Sequence, residues 1–193
     1  MRNKKNLLLI VAFVGMFATN ALAQRKFRFN VEYAYMVGLK ENYEISKWSL
    51  TRSDVNMYAN SFRVAALCPV SDAVALGIGL GLDCHKQPDD NSVPFYATAR
   101  YAPLKCNRDI YAFADFGFPL SKSSFFKSPT MDFGIGYKWM IMPKFGITFK
   151  AGYNIKTKGD DALYVKETGK FINTTRNMTH TRHSLFVGTG VIF

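Results

Sequence analysis

Between Val74 and Leu82 every second residue is a branched aliphatic: Val74, Leu76, Ile78, Leu80 and Leu82. The residues between them are Ala75, Gly77, Gly79 and Gly81. Successive side chains of an extended chain point to opposite faces, so this segment is a strand with one greasy face and one nearly bare face. A helix of the same composition would scatter the aliphatics around its circumference. Such a strand needs an apolar medium on one side and crowding on the other.

The same period of two recurs along the chain and predicts eight strands. They run over Phe27 to Leu39, Tyr58 to Leu67, Ala73 to Asp83, Val93 to Ala102, Ile110 to Phe118, Met131 to Ile141, Phe145 to Ile155 and His183 to Phe193. The sixth sets Met131, Phe133, Ile135, Tyr137, Trp139 and Ile141 against Asp132, Gly134, Gly136 and Lys138. The last sets Leu185, Val187, Val191 and Phe193 against Ser184, Gly188 and Gly190. Each is near the 9 to 11 residues of a tilted membrane strand.

Connection lengths alternate. The links after strands two, four and six are short and carry turn residues: Cys68 to Asp72, Pro103 to Asp109 and Met142 to Lys144. The others are longer: Lys40 to Met57, Cys84 to Ser92, Pro119 to Thr130 and Lys156 to Arg182. Small outer-membrane barrels have short periplasmic turns and longer outer loops, which places both termini in the periplasm.

The start of the chain fits export. Arg2, Lys4 and Lys5 precede an apolar stretch from Leu7 to Ala18 and the small-residue site Ala21-Leu22-Ala23, the pattern of a cleaved signal peptide over residues 1–23. The stretch is short for a spanning helix, and no cysteine follows Ala23, which argues against a lipoprotein. Beyond it no run of about 18 apolar residues occurs, so a membrane-embedded mature chain must be a closed barrel. Residues 24–193 are then one domain. Loss of the three leader cations lowers the formal charge from +11 to +8. For an exported basic chain the expected polyanion is lipopolysaccharide rather than nucleic acid.

The rival architecture is a soluble lipocalin-like barrel, which would turn the apolar faces inward around a ligand. Its exterior would be hydrated, whereas the non-apolar faces here are largely Gly and Ala with isolated charges, a composition suited to a narrow lumen. The expected fold is therefore all-β, an eight-stranded antiparallel up-and-down transmembrane β-barrel. Tyr101, Tyr137, Trp139 and Tyr153 fit an interfacial aromatic girdle. Glu32, Arg63, Arg100, Asp115, Asp132, Lys138 and Lys150 take inward parity, which predicts a salt-bridge plug in preference to an ion path.

This pattern, with its terminal aromatic on an amphipathic strand, resembles the small outer-membrane barrels of the OmpX and OmpA transmembrane-domain type over Gln24 to Phe193. The resemblance implies recognition by the barrel assembly machinery through the strand ending at Phe193, a monomer in outer-membrane lipid, and a structural or surface-interaction role carried by outer loops. It implies no cofactor. The group also contains lipid A modifying enzymes, the runner-up reading. Lipid A deacylases carry a His-x-Ser pair, but His183 and Ser184 are adjacent and would face opposite sides of a strand. A loop-borne set, as in lipid A palmitoyltransferases, would need His180 or His183, Ser184 and Asp160 or Asp161 to meet at the outer surface. Ordinary residues closing a loop are the simpler account, so no catalytic residue is assigned and the binding residues remain open. Nothing has metal-ligand spacing. Among the three cysteines, Cys84 starts an outer loop while Cys68 and Cys106 share the periplasmic side, which makes a Cys68–Cys106 disulfide a hypothesis.

Overall fold

The computed structural model describes residues 27–43, 48–86, 90–120, 128–165 and 170–193. Residues 1–23, the expected leader, lie outside the described residues. Among the described residues ten strands occur: β1 Arg28–Tyr43, β2 Trp48–Thr51, β3 Tyr58–Pro69, β4 Val74–Lys86, β5 Asp90–Ser92, β6 Pro94–Tyr101, β7 Ile110–Pro119, β8 Thr130–Met142, β9 Phe145–Val165 and β10 Lys170–Ile192. Eight of them close a ring in the order β1, β3, β4, β6, β7, β8, β9, β10, with β10 returning to β1 and neighbours antiparallel. The short β2 and β5 extend the wall beside the outer ends of β1 and β4.

Closure reaches the final residue. The Phe29 N–H donates to the Phe193 carbonyl at 2.7 Å, the Phe193 N–H donates back at 2.9 Å, and the two rings lie 6.1 Å apart. Both strand termini therefore sit at the end that carries the tight turns, here the turn end. The opposite, loop end is longer than alternation alone predicts. The strands β9 and β10 pair as a hairpin out to Val165 and Lys170, so the longest connection is mostly strand.

The faces fall as expected. Ile135, Val187, Ile78 and Leu82 are 66%, 62%, 57% and 53% exposed, and Phe62, Leu80, Phe116, Phe133, Phe149 and Leu185 join them in an apolar outer belt. Water does not tolerate a continuous apolar surface of that kind, while lipid does. This orientation is the inverse of a soluble ligand-binding barrel. Tyr101, Tyr137 and Trp139 are exposed near the turn end, while Tyr153 is half-buried, 5.7 Å from Phe133.

Inside, the bare glycine faces leave room for rings from the neighbouring strand. Tyr96 is the cross-strand partner of Gly79, and Tyr111 of Gly136. A Cβ at Gly79 would stand 2.5 Å from the Tyr96 Cζ, and one at Gly136 would stand 2.3 Å from the Tyr111 Cζ. Those glycines are there for close approach: the ring occupies the space where a side chain would otherwise stand.

One irregularity resets the parity of β1. Gly38 pairs with Ser184 but Lys40 pairs with His183, so Leu39 is an extra residue in a β-bulge. Glu41 and Tyr43, which strict alternation from Phe27 would turn outward, are buried inside.

The three cysteines are free: Cys68 is half-buried at the end of β3, while Cys84 and Cys106 are exposed. The Cys68–Cys106 disulfide is not formed. Cys106 lies between β6 and β7, and β4 separates β6 from β3. Two strand spacings amount to about 10 Å, beyond the Cα separation a disulfide can bridge.

Candidate functional site

The lumen is filled by charge. At its centre the Arg63 guanidinium lies against three carboxylates. Its Nη1 makes a close ion pair with Asp132 and is 3.5 Å from Asp115, and its Nη2 is 3.8 Å from Asp83. The strands β3 and β8, which supply Arg63 and Asp132, stand opposite each other in the ring, so this pair bridges the lumen. Glu32 receives Lys150 Nζ at 2.7 Å and Arg100 Nη2 at 3.3 Å, and Lys150 also lies 3.9 Å from Asp115. Hydrogen bonds fix the carboxylates, with Ser61 Oγ donating to Asp83 at 2.5 Å and Asn154 Nδ2 to Asp132 at 2.5 Å. Rings cover the cations: Arg63 lies over Tyr96 at 5.2 Å, Arg100 over Tyr111 at 5.2 Å and Lys150 over Phe113 at 4.4 Å.

These side chains leave a void of about 20 Å³ lined by Glu32, Ser61, Arg63 and Lys150 among others, room for about one water molecule. Sequence parity had found six of these buried charges. The seventh, Lys138, sits lower and partly exposed, 3.8 Å from Asp109. Asp83 was missed, although it ends the Gly77-Gly79-Gly81 face and shares its parity.

Above this cluster lies a second polar layer that alternation did not predict. His180 Nε2 is 3.1 Å from Glu41 Oε1, and the Tyr43 hydroxyl donates to that oxygen at 3.3 Å. Arg182 Nη2 donates to the carbonyls of Tyr58 and Lys86 at 3.4 and 3.5 Å, and Lys156 Nζ donates to Ser92 Oγ at 2.7 Å. Lys156 and Arg182 bound the longest expected outer connection, but they are buried lumen residues because β9 and β10 run past them. Tyr43 packs with the fully buried Leu50 and Met57, so apolar side chains pack at the loop end of the lumen.

The enzymatic candidates do not converge. His180 and Ser184 are buried in the lumen, four residues apart along β10, which is about 13 Å of strand. His183 lies on the other face, its ring 6.0 Å from Tyr153 and its Nε2 3.4 Å from Asn42 Nδ2. The side chains of Asp160 and Asp161 lie outside the described residues. Among the described residues no cluster of three or more His, Cys, Asp or Glu is arranged to hold a metal ion.

Register and burial define the class: a closed eight-stranded antiparallel transmembrane β-barrel with a lipid-facing exterior and a plugged, charged lumen. Known barrels resemble it in shape. Neisserial surface protein A is 15% identical, with TM-score 0.44, over 84% of this chain and 95% of that one. The outer membrane protease OmpT from Escherichia coli is 8% identical, with TM-score 0.40, over 88% and 96%. A de novo designed transmembrane β-barrel is 13% identical, with TM-score 0.37, over 85% and 93%. No family model matches the chain. No curated protein matches it either.

Proposed function

We propose that this chain is an outer-membrane barrel of a Gram-negative cell, exported through a cleaved leader over residues 1–23, with a structural or surface-interaction role carried by its outer loops. The observation that carries this reading is the plug. Arg63, Lys150 and Arg100 fill the lumen together with Glu32, Asp83, Asp115 and Asp132, and they leave a void of about 20 Å³. The wall offers lipid contact and the centre of the lumen is filled by side chains, so contact with macromolecular partners falls to the outer connections, the β9–β10 hairpin above all. On this reading the loops meet lipopolysaccharide and surface partners, the protein is a monomer without a cofactor, and the strand ending at Phe193 is the handle for the assembly machinery.

The test has two parts. Protein extracted from outer membranes should change gel mobility on heating and give no unitary conductance steps in a planar bilayer. Protease added to intact cells should cut within the β9–β10 hairpin. Recovery from the soluble periplasm would refute the localisation, and steady conductance steps would refute the plug. A lipid A mass change on expression, lost in His183→Ala or Ser184→Ala, would move the reading to an enzyme.

A further inference from the structure

The turn end of the barrel holds a second cavity, distinct from the plug. It has a volume of about 490 Å³, within the range of small-molecule sites, and opens between the turn after β3 and the connection from β6 to β7. Among the described residues four cations line it: Arg28 from β1, Arg100 from β6, Arg108 from the connection and Lys138 from β8. Asp72 is the one carboxylate in its lining among the described residues, while Leu67 and Ile192 contribute apolar surface.

Two buried polar residues line this cavity, each with one atom that has neither open surface nor a hydrogen-bond partner among the described residues. Arg100 is 7% exposed, and although its Nη2 reaches Glu32, its Nε has no hydrogen-bond partner. Tyr111 is 5% exposed and its hydroxyl has none. The rim cations are only loosely neutralised. Lys138 is 3.8 Å from Asp109, and Arg108 spends one donor on the Ala102 carbonyl at 2.8 Å, which holds its guanidinium in place. No salt bridge within 4.0 Å engages Arg28 among the described residues.

We propose that this vestibule binds a small organic anion, a phosphate ester or carboxylate with an apolar body. Guanidinium groups recognise the paired oxygens of such anions, and three of the four lining cations are guanidinium groups. The apolar body lies against Leu67 and Ile192. The matching ligand chemistry is available from two sources, a free phosphate ester or a phospholipid headgroup. That the vestibule faces the periplasm rests on the orientation proposed above, whereas the site itself does not.

The test titrates full-length folded protein, in a nonionic detergent, with phenyl phosphate by calorimetry. Saturable one-to-one binding is expected. Arg28→Gln with Arg108→Gln should weaken it by about tenfold or more, as loss of charge-assisted hydrogen bonds does. Tyr111→Phe should leave both binding and heat-modifiability unchanged, because the hydroxyl it removes is sealed from the cavity and has no partner among the described residues. Asp72→Asn should tighten it. In nanodiscs, competition by anionic phospholipid would identify the headgroup as the source, and its absence would identify the free ester, and either result upholds the site. Absence of binding at millimolar phenyl phosphate, or equal affinity in wild type and all these variants, overturns it. Because binding is read in detergent, a failure here leaves the localisation reading untouched, and a protein found elsewhere in the cell would still bind.

Discussion

Arg63→Gln is the substitution that should damage this barrel most for its size. The guanidinium is 6% exposed and sits among Asp83, Asp115 and Asp132, the first two at 3.8 and 3.5 Å. At an effective dielectric near 20, each of those two attractions amounts to about 4 to 5 kcal/mol gross. Desolvation of the ions offsets most of that, so intact buried pairs contribute little net stability, but stripping one partner strands the other charges. Here three carboxylates, 4 Å or less from the cation, would be left with their mutual repulsion. The expected loss is therefore at least the roughly 3 to 5 kcal/mol typical of breaking one buried pair. The Arg63 Nε donates to Ser61 Oγ at 3.2 Å, and glutamine keeps a donor there but carries no charge. The assay is reversible urea unfolding in lipid vesicles, followed by gel mobility and tryptophan fluorescence. Arg63→Gln with Asp132→Asn should recover part of the loss, with a coupling of about 1 to 3 kcal/mol. A single-variant effect below about 1 kcal/mol would refute the argument, because that is the size of a solvated surface pair.

Three further outcomes follow from the same geometry. Ile135→Arg, on the outer face at the most exposed large apolar side chain described, should destabilise the inserted barrel by about 2 to 4 kcal/mol if lipid covers it, and the vesicle unfolding assay reads it. A near-zero effect would mean that water bathes that face. Gly79→Val places a Cβ 2.5 Å from both the Tyr96 ring and the Val64 carbonyl, so it should cost about 2 to 3 kcal/mol or prevent folding. Deleting Phe193 removes both hydrogen bonds that close β1 on β10 at the turn end and should slow insertion in a folding time course; unchanged kinetics would dissociate that residue from closure.

What was legible in the residues divides along physical lines. The face of each strand follows from a period of two, so Glu32, Arg63, Arg100, Asp115, Asp132 and Lys150 could be placed inside before any coordinates. Which of them meet could not, because strand tilt and stagger decide that, and Arg63 finds Asp132 four strands away around the ring. The second polar layer was hidden by Leu39. A single bulged residue inverts the parity of everything beyond it, and Glu41, read by strict alternation, faces the wrong way. Lys156 and Arg182 were hidden by length, since alternation fades where β9 and β10 leave the apolar belt although their backbone pairing continues.

The two cavities then separate for an electrostatic reason. In the central cluster Arg63, Arg100 and Lys150 face Glu32, Asp83, Asp115 and Asp132, so four carboxylates surround three cations there and the lumen can close on itself. At the turn end the balance reverses. Arg28, Arg108 and Lys138 join Arg100 against Asp72 in the lining, and the side chains stand apart around about 490 Å³ instead of collapsing. Like charges in excess of the carboxylates around them keep their distance and hold a cavity open, and they also raise the local concentration of anions. A plug and an anion vestibule are thus consequences of one uneven distribution of charge along the same eight strands. Charge reversal of Asp72 alone should not open the plug, because no residue of the Arg63 cluster contacts it among the described ion pairs.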